Sequence, residues 1–150
     1  FLRVTDEEQR KTNEMIGAEL GYRYVASPVI SEEPGGPEQL FRTYDPTACT
    51  GVRLPHAWMA PGVSLLDDFE RSYTVLRLGA KIEPMDRLVT ALKTLGAPVC
   101  ERIVDDPRLR ALYGRDIFLI RPDLHIAWRG NAAPDNPERL AALVTGQRHT

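Results

Sequence analysis

Two cysteines, one histidine and a pair of adjacent carboxylates are the side chains of this sequence best suited to chemistry. Cys49 and Cys100 lie far apart, and neither belongs to a CxxC pair or a zinc-binding set. We therefore expect two free, unreactive thiols. A disulfide and a redox role are the alternatives, although a disulfide has little support in a chain without a secretion signal.

His56 is the best candidate for a polar site, because a histidine can serve near neutral pH as a general base or a ligand. No other ligand stands at metal-binding spacing from it. We therefore expect a structural histidine, hydrogen-bonded in a loop or at an interface. Asp67 and Asp68 could form an acid–base unit, but adjacent side chains need not point the same way, and we expect them to form a turn.

The composition narrows the functional classes. The 150 residues, 43% of them hydrophobic, suit one domain with a real core, and a net charge of -2 makes nucleic acid an unsuitable partner. No apolar stretch approaches the roughly 20 residues that span a bilayer, and no signal peptide is evident, so we expect a cytoplasmic protein that does not bind membranes. The chain begins at Phe1 rather than Met, which we interpret as a fragment of a longer protein.

The first 62 residues predict a helix and a loose extension. Thr5 and Glu8 have capping-box spacing, which predicts a helix from about Asp6 to Leu20 that ends with Gly21 in the left-handed conformation. Two strands are predicted next, at 22–30 and 40–44, and an irregular segment at 51–62. Beyond it, the apolar runs 63–66 and 73–78 suggest a hairpin-like pair.

A more regular pattern follows from residue 73. The predicted elements are a strand at 73–78, a helix opened by Pro84 and ended by Gly96, a strand at 98–104, a short helix from Pro107 to Tyr113, strands at 117–120 and 125–128, and a last helix opened by Asn136-Pro137 and ended by Gly146. This order of elements is that of a thioredoxin-like core, with a parallel pair of strands followed by an antiparallel hairpin.

The hairpin carries charges at fixed places. Pro122 and Asp123 have the chemistry of a turn between its two strands. Arg121, His125 and Arg129 lie at or near the strand ends. The segment is therefore either an ordinary hairpin with ionic ends or the mark of a family.

The place where a thioredoxin keeps its nucleophile is empty in this sequence. A working enzyme has a cysteine where the first core strand meets the first helix, because the helix N-terminus stabilises a thiolate. Here that junction, Gly79 to Pro84, contains no Cys, Ser or Thr. There is also no GxGxxG and no GxxxxGK[ST], so we expect neither dithiol exchange nor a dinucleotide site in this chain.

Five segments in a fixed order carry a resemblance to a known family. They are GVRLPH at 51–56, SLLD at 64–67, YTVL at 73–76, YGR at 113–115 and IRPDLHIAWR at 120–129. Together they resemble the C-terminal domain of FAD-dependent aromatic hydroxylases, the phenol hydroxylase-like and polyketide hydroxylase-like flavoprotein monooxygenases. The similarity extends over about residues 21–146. The resemblance disfavours a left-handed Leu124, where many relatives tolerate Gly.

The resemblance implies an α/β fold, a thioredoxin-like mixed sheet flanked by helices that lacks the CxxC motif. Residues 1–21 would then be the end of a linker or preceding domain, 22–62 an extension and 63–150 the core. The parent enzyme would use FAD and NAD(P)H to hydroxylate an aromatic ring, with the flavin and substrate sites upstream, and this chain would itself hold no cofactor. Its partners would be those upstream domains, and a homodimer is compatible with the resemblance.

No catalytic residue is carried over by the resemblance. The motif residues are instead expected to hold the fold or to contact other domains; they are Arg53, Pro55, His56, Asp67, Arg121, Pro122, Asp123, Trp128 and Arg129. Arg53 or Arg121 could pair with Asp67 or Asp123 and so fix a loop to the sheet.

Two other function classes stay open at this point. One is a free-standing thioredoxin-like thiol protein that uses Cys49 or Cys100. The other is an interaction module unrelated to flavoenzymes.

Overall fold

The computed structural model describes residues 15–38 and 40–147, which form a mixed sheet covered on both faces. The elements, in chain order, are α1 (Ile16–Leu20), β1 (Trp58–Ala60), β2 (Val63–Ser64), a 3-10 helix (Leu65–Asp68), β3 (Tyr73–Arg77), α2 (Asp86–Thr94), β4 (Val99–Ile103), α3 (Pro107–Tyr113), β5 (Ile117–Ile120), β6 (Ile126–Gly130) and α4 (Pro137–Val144).

The main sheet has the strand order β4-β3-β5-β6. β3 runs parallel to β4, with Thr74 opposite Cys100, and antiparallel to β5, with Leu76 opposite Phe118. β5 and β6 form the antiparallel hairpin. The predicted mixed sheet with flanking helices is therefore confirmed, and β4 is left as an edge strand.

The residues of β5 show why both faces of the main sheet must be covered by other elements. All four of its residues are buried and apolar, and alternate side chains of a strand point to opposite faces. Ile117 and Leu119 belong to the cluster that contains α2 and α4. Phe118 and Ile120 belong to the other cluster, with α3 and residues from the segment 48–57 of the extension.

Side-chain caps fix the starts of two core helices, α3 and α4. The Asp106 and Asn136 carboxyl and amide oxygens accept backbone N–H groups at the starts of α3 and α4, and each is followed by a proline at the first helical position. α3 ends at Gly114 in the left-handed conformation, with φ of 69°. These boundaries were predictable because each depends on residues adjacent in sequence.

The amino-terminal half differs from the prediction. Residues 22–30 form no strand: the only ladder contact is a bridge between Arg23 and Val52, and Ala26 has a φ of 53°. No strand forms at 40–44 either. Gly21 ends α1 with a φ of −97° rather than in the left-handed region. The capping box at Thr5 and the first part of the predicted helix lie outside the described residues.

The predicted pairing of 63–66 with 73–78 is also wrong. β2 pairs with β1 instead, and the chain then turns into the 3-10 helix. Ser64 starts this helix as a capping box: its hydroxyl accepts the Leu66 N–H, and the Asp67 carboxylate accepts the Ser64 N–H at 3.1 Å. The S-x-x-D spacing is a helix-start signal that the apolar run concealed.

No helix in the described part of the chain combines the length and apolar character needed to cross a membrane.

Candidate functional site

Two of the motif segments lie side by side in the structure. The Leu54 N–H donates to the Leu124 carbonyl oxygen at 2.8 Å, and the Ile126 N–H donates to that of Val52 at 2.9 Å. The Gly51 N–H reaches the Ile126 carbonyl oxygen at 2.8 Å. The GVRLPH segment is thus hydrogen-bonded along the side of β6 that faces away from β5. We name this contact between residues 51–56 and 120–129, together with the side chains around it, the motif junction.

The tip of the hairpin is closed by its own charges. Arg121 forms an ion pair with Asp123, with Nε and Oδ2 3.3 Å apart, and the Asp123 carboxylate also accepts the His125 N–H at 3.1 Å. Leu124, between them, has a φ of 68°. The sequence-based expectation for Leu124 was therefore wrong. Its N–H donates to the Arg121 carbonyl oxygen at 2.9 Å, and this closed turn outweighs the steric cost of a left-handed leucine.

His125 lies under the extension, where two tyrosine rings cover it. Its ring centre is 4.6 Å from that of Tyr24 and 6.4 Å from that of Tyr22, and the Arg121 guanidinium stands 5.9 Å from the Tyr24 ring centre. Burial lowers the pKa of His125 below its usual value, although Asp123 opposes the shift. Its Nε2 is buried without a hydrogen-bond partner among the described residues. The site therefore favours a neutral imidazole.

Arg129 joins β6 to the extension. Its guanidinium forms an ion pair with Glu33, in which Nε donates to Oε2 at 2.7 Å, and it also donates to the Ala48 carbonyl oxygen. Both charged side chains are mostly buried. The neighbouring Trp128 is half-buried, and its ring lies against Gly130, so closely that an added Cβ there would come within 2.7 Å of the ring.

Pro55 and His56 occupy different environments although they are adjacent. The buried Tyr113 hydroxyl, from the YGR segment, donates to the Pro55 carbonyl oxygen at 2.6 Å, and burial raises the pKa of this tyrosine. His56 is exposed and meets the exposed Trp58 ring edge-on, with ring centres 4.5 Å apart. His56 therefore makes a surface contact with an indole and has no acid or base partner among the described residues.

The remaining site residues are not brought together. Asp67 caps the 3-10 helix, and the Arg53 backbone forms a bridge with His125. The Arg53 guanidinium pairs with neither Asp67 nor Asp123. Pro122 is exposed at the hairpin tip.

Arg77 is a further buried charge that was not predicted as a site residue, although it interrupts an apolar run. Arg77 is buried in the sheet, forms an ion pair with Glu101 across the parallel β3–β4 pair at 3.3 Å, and donates to the Ile82 carbonyl oxygen. Ile82 belongs to the junction where a thioredoxin would hold its cysteine. A charge inside a buried strand requires a partner, and this requirement was the available signal.

The cysteines are both free thiols. Cys49 is buried, and its pKa is raised, chiefly by burial, which disfavours the reactive thiolate. The Cys100 sulfur lies 3.4 Å from the hydroxyls of both Ser72 and Thr74. The described residues contain no group of three or more His, Cys, Asp or Glu that could hold a metal ion.

The junction before α2 does not fit the diphosphate of a flavin dinucleotide. Among the described residues, the only parallel strand–helix–strand unit is β3-α2-β4, and a phosphate-binding loop would have to occupy the junction before α2. That junction has one glycine, Gly79, and Met85 precedes α2 without a side-chain cap. The Arg77 guanidinium near this junction already forms an ion pair with Glu101 and donates to the Ile82 carbonyl oxygen.

Comparison with known proteins identifies the family. Residues 47–146 match the family described as aromatic-ring hydroxylase, C-terminal. The chain belongs to this family. The matched region begins just before the GVRLPH segment and ends after α4, so it contains the motif junction and the whole mixed sheet.

Members and relatives of the family include flavin enzymes much longer than this chain. The FAD-dependent monooxygenase apdD of Emericella nidulans is 27% identical over 89% of this chain but only 23% of its own length. Phenol 2-monooxygenase of a Pseudomonas species is 29% identical over 81% of this chain and 23% of its own. The rebeccamycin biosynthetic enzyme RebC with reduced flavin superimposes with a TM-score of 0.80, at 29% identity, over 97% of this chain and 27% of RebC. The chain thus spans about a quarter of these relatives.

Proposed function

We propose that this chain is the non-catalytic C-terminal domain of a FAD-dependent, NAD(P)H-using enzyme that hydroxylates an aromatic ring in the cytoplasm. The membership of residues 47–146 in the aromatic-ring hydroxylase C-terminal family carries the proposal. When bound in the parent enzyme, the flavin would supply the oxygen chemistry, and the residues that hold it would lie upstream.

The side chains of the motif junction support a structural role for this domain. Arg121, Arg129 and Tyr113 bind a carboxylate or a backbone carbonyl of the same domain. The domain would supply packing surface to the upstream domains and, in a homodimer, to a second subunit.

The test is to express the complete reading frame that contains this sequence. We expect a yellow protein with a flavin absorbance spectrum, whose NAD(P)H oxidation is coupled to hydroxylation of a phenolic or polyketide-like ring. The 150-residue chain, purified alone, should have neither a flavin spectrum nor this activity. Stoichiometric flavin in the isolated chain would contradict the proposal, and so would a complete reading frame without a flavin-binding domain.

Arg121→Gln in the complete protein separates a structural from a catalytic role. We expect a lower unfolding temperature with kcat essentially unchanged, because Arg121 pairs with Asp123 of its own hairpin and stands over the Tyr24 ring of the same domain. A large loss of kcat at full flavin occupancy and unchanged stability would show that the domain takes part in the chemistry.

A further inference from the structure

Arg53 differs from the other two motif arginines in having no hydrogen-bond or ion-pair partner in the described part of the chain. Arg121 pairs with Asp123 and Arg129 with Glu33, whereas the Arg53 guanidinium makes no hydrogen bond or ion pair within residues 15–38 and 40–147. The residue is half-buried. A guanidinium offers five N–H donors in a fixed plane, and a partly desolvated one without acceptors is suited to bind a carboxylate.

Arg53 lines a cavity of about 240 Å³ beside the end of α1, which we name the Arg53 cavity. Its other charged lining residues are Arg23, Glu38 and Asp45. The Arg23 Nε already donates to the Thr50 carbonyl oxygen at 3.2 Å, and Asp45 accepts the Thr47 hydroxyl at 2.8 Å. Neither carboxylate of the cavity forms an ion pair with the Arg53 guanidinium, whose N–H donors are therefore available to an acceptor outside the described residues.

Exposed apolar side chains surround this cavity. Ile16 and Leu20 of α1 and the nearby Leu40 and Phe41 are 39–61% exposed, and we name these four the amino-terminal patch. α1 and residues 40–41 are in contact. The Ala18 N–H donates to the Phe41 carbonyl oxygen at 3.1 Å, and Gly17 packs directly on the Leu40 backbone. Leu20 and Leu40 also line the Arg53 cavity. Large apolar side chains grouped around an arginine are typical of the centre of a protein interface.

The position of the patch indicates what covers it. Matched relatives are about four times as long as this chain, and the family describes their C-terminal part. In such a parent, the remaining three quarters would precede this domain and enter it through α1, which carries the patch.

We propose that the amino-terminal patch and the Arg53 cavity receive the upstream part of the parent polypeptide, and that Arg53 binds an aspartate or glutamate carboxylate of that part. The inference rests on the proposed function. It identifies the occupant as a covalently linked domain with an acidic side chain at the centre of its contact surface.

The test uses the complete flavoprotein and amide hydrogen exchange at residues 16–21 and 40–45. We expect these amides to be protected in the complete protein, and Arg53→Gln to increase their exchange by about tenfold with flavin content unchanged, because arginines at the centre of an interface contribute most to binding. Arg139→Gln is the matched control: this arginine lies exposed on α4, outside the Arg53 cavity, and should change nothing.

Three outcomes would overturn the inference alone. The first is equal exchange in the Arg53→Gln and Arg139→Gln proteins, both with normal flavin. The second is that Glu38→Gln reproduces the effect of Arg53→Gln, which would place the partner inside the domain. The third is an equal effect of Arg53→Gln in the 150-residue chain alone. A complete reading frame without a flavin domain would instead overturn the proposed function, and this inference with it.

Discussion

Tyr113 shows how a single motif side chain joins segments that are distant in the sequence. Its ring packs edge-on against Phe118 in the core, with ring centres 5.7 Å apart, while its hydroxyl donates to the Pro55 carbonyl oxygen. α3 is thereby fixed to the extension through a buried hydrogen bond. A buried carbonyl that loses its donor costs more free energy than the bond itself contributes, since water cannot replace the donor.

Tyr113→Phe isolates this bond, because the ring stays and only the hydroxyl is removed. We expect the free energy of unfolding to fall by about 1–2 kcal/mol in urea titrations. Tyr22→Phe is the control, because Tyr22 is exposed and its hydroxyl makes no hydrogen bond within the described part of the chain. The free energy of unfolding of this variant should equal that of the natural sequence. Equal urea midpoints for the two variants would disprove the importance of the bond.

His125 makes stability depend on pH. Burial lowers its pKa in the folded state, so the unfolded chain binds more protons once the pH falls below the ordinary value of 6.5. The contribution of His125 to the free energy of unfolding is therefore expected to be fully present above that pH. It should decrease as the pH falls towards about 5, before most carboxylates titrate.

The His125→Asn variant should remove this dependence. Unfolding free energies measured at several pH values between 7 and 5 should fall for the natural sequence and stay level for the variant. His56→Asn, which alters an exposed histidine, should keep the slope of the natural sequence. A slope that survives in His125→Asn would assign the effect to another group.

At the scale of secondary-structure elements, caps and turns determine where each unit ends. Gly114 ends α3 at a φ of 69°, and a Cβ built there meets nothing within 4 Å. A substitution at this position therefore changes backbone strain without creating a clash, and Gly114 offers a clean measurement of the left-handed cap.

Gly114→Ala should lower the free energy of unfolding by about 1 kcal/mol, because L-residues other than asparagine and aspartate resist the left-handed conformation. Gly114→Asn should lose clearly less, since asparagine is tolerated at helix ends of this type. Chemical denaturation of the three proteins gives the comparison. Equal losses for Ala and Asn would mean that the cap is not the cause.

The elements also separate what the sequence could reveal from what it could not. The ends of α3 and α4 follow from Asp106-Pro107, Gly114 and Asn136-Pro137, which act on adjacent backbone groups. The apolar run at 63–66 was misleading because its partner, β1, is selected by tertiary packing. An apolar pattern indicates burial without specifying the neighbour.

The candidate site divides in the same way. The Arg121–Asp123 pair spans two residues and could be anticipated from the turn. The pair between Glu33 and Arg129 joins residues almost a hundred positions apart, and Glu33 stands in a polar loop without a distinguishing pattern. Tyr24 covers His125 only because the extension folds back over the hairpin.

At the scale of the whole molecule, side chains of the extension are packed into the hydrophobic core. Leu54 and Cys49 are buried in the same cluster as Phe118 and Ile120, so the segment that precedes β1 covers one face of the sheet together with α3. The Arg129 side chain holds that cover through Glu33 and the Ala48 carbonyl oxygen.

Arg129→Gln should release the extension. We expect a loss of about 2–3 kcal/mol in unfolding free energy, because a mostly buried carboxylate and a buried carbonyl lose their shared donor. Amides of residues 31–52 should exchange faster than those of β3 and β5, as measured by hydrogen exchange. Arg108→Gln is the matched control, because the ion pair of Arg108 with Asp106 is largely exposed on the arginine side and solvent screening leaves it little effect on stability.

A uniform loss of protection throughout the Arg129→Gln protein would instead show that the extension and the sheet unfold as a single unit.

β4 has a consequence for how copies of this domain can meet. It is the edge of the sheet, and an edge strand with free backbone groups is a template for joining a second sheet. Its middle residues, Glu101 and Arg102, are charged and paired with Arg77 and Glu70. A strand added at this edge would bury part of these charged side chains, which disfavours a sheet continuous across two subunits. Any contact between copies of this domain is therefore expected to use side-chain surfaces and to leave this strand facing water.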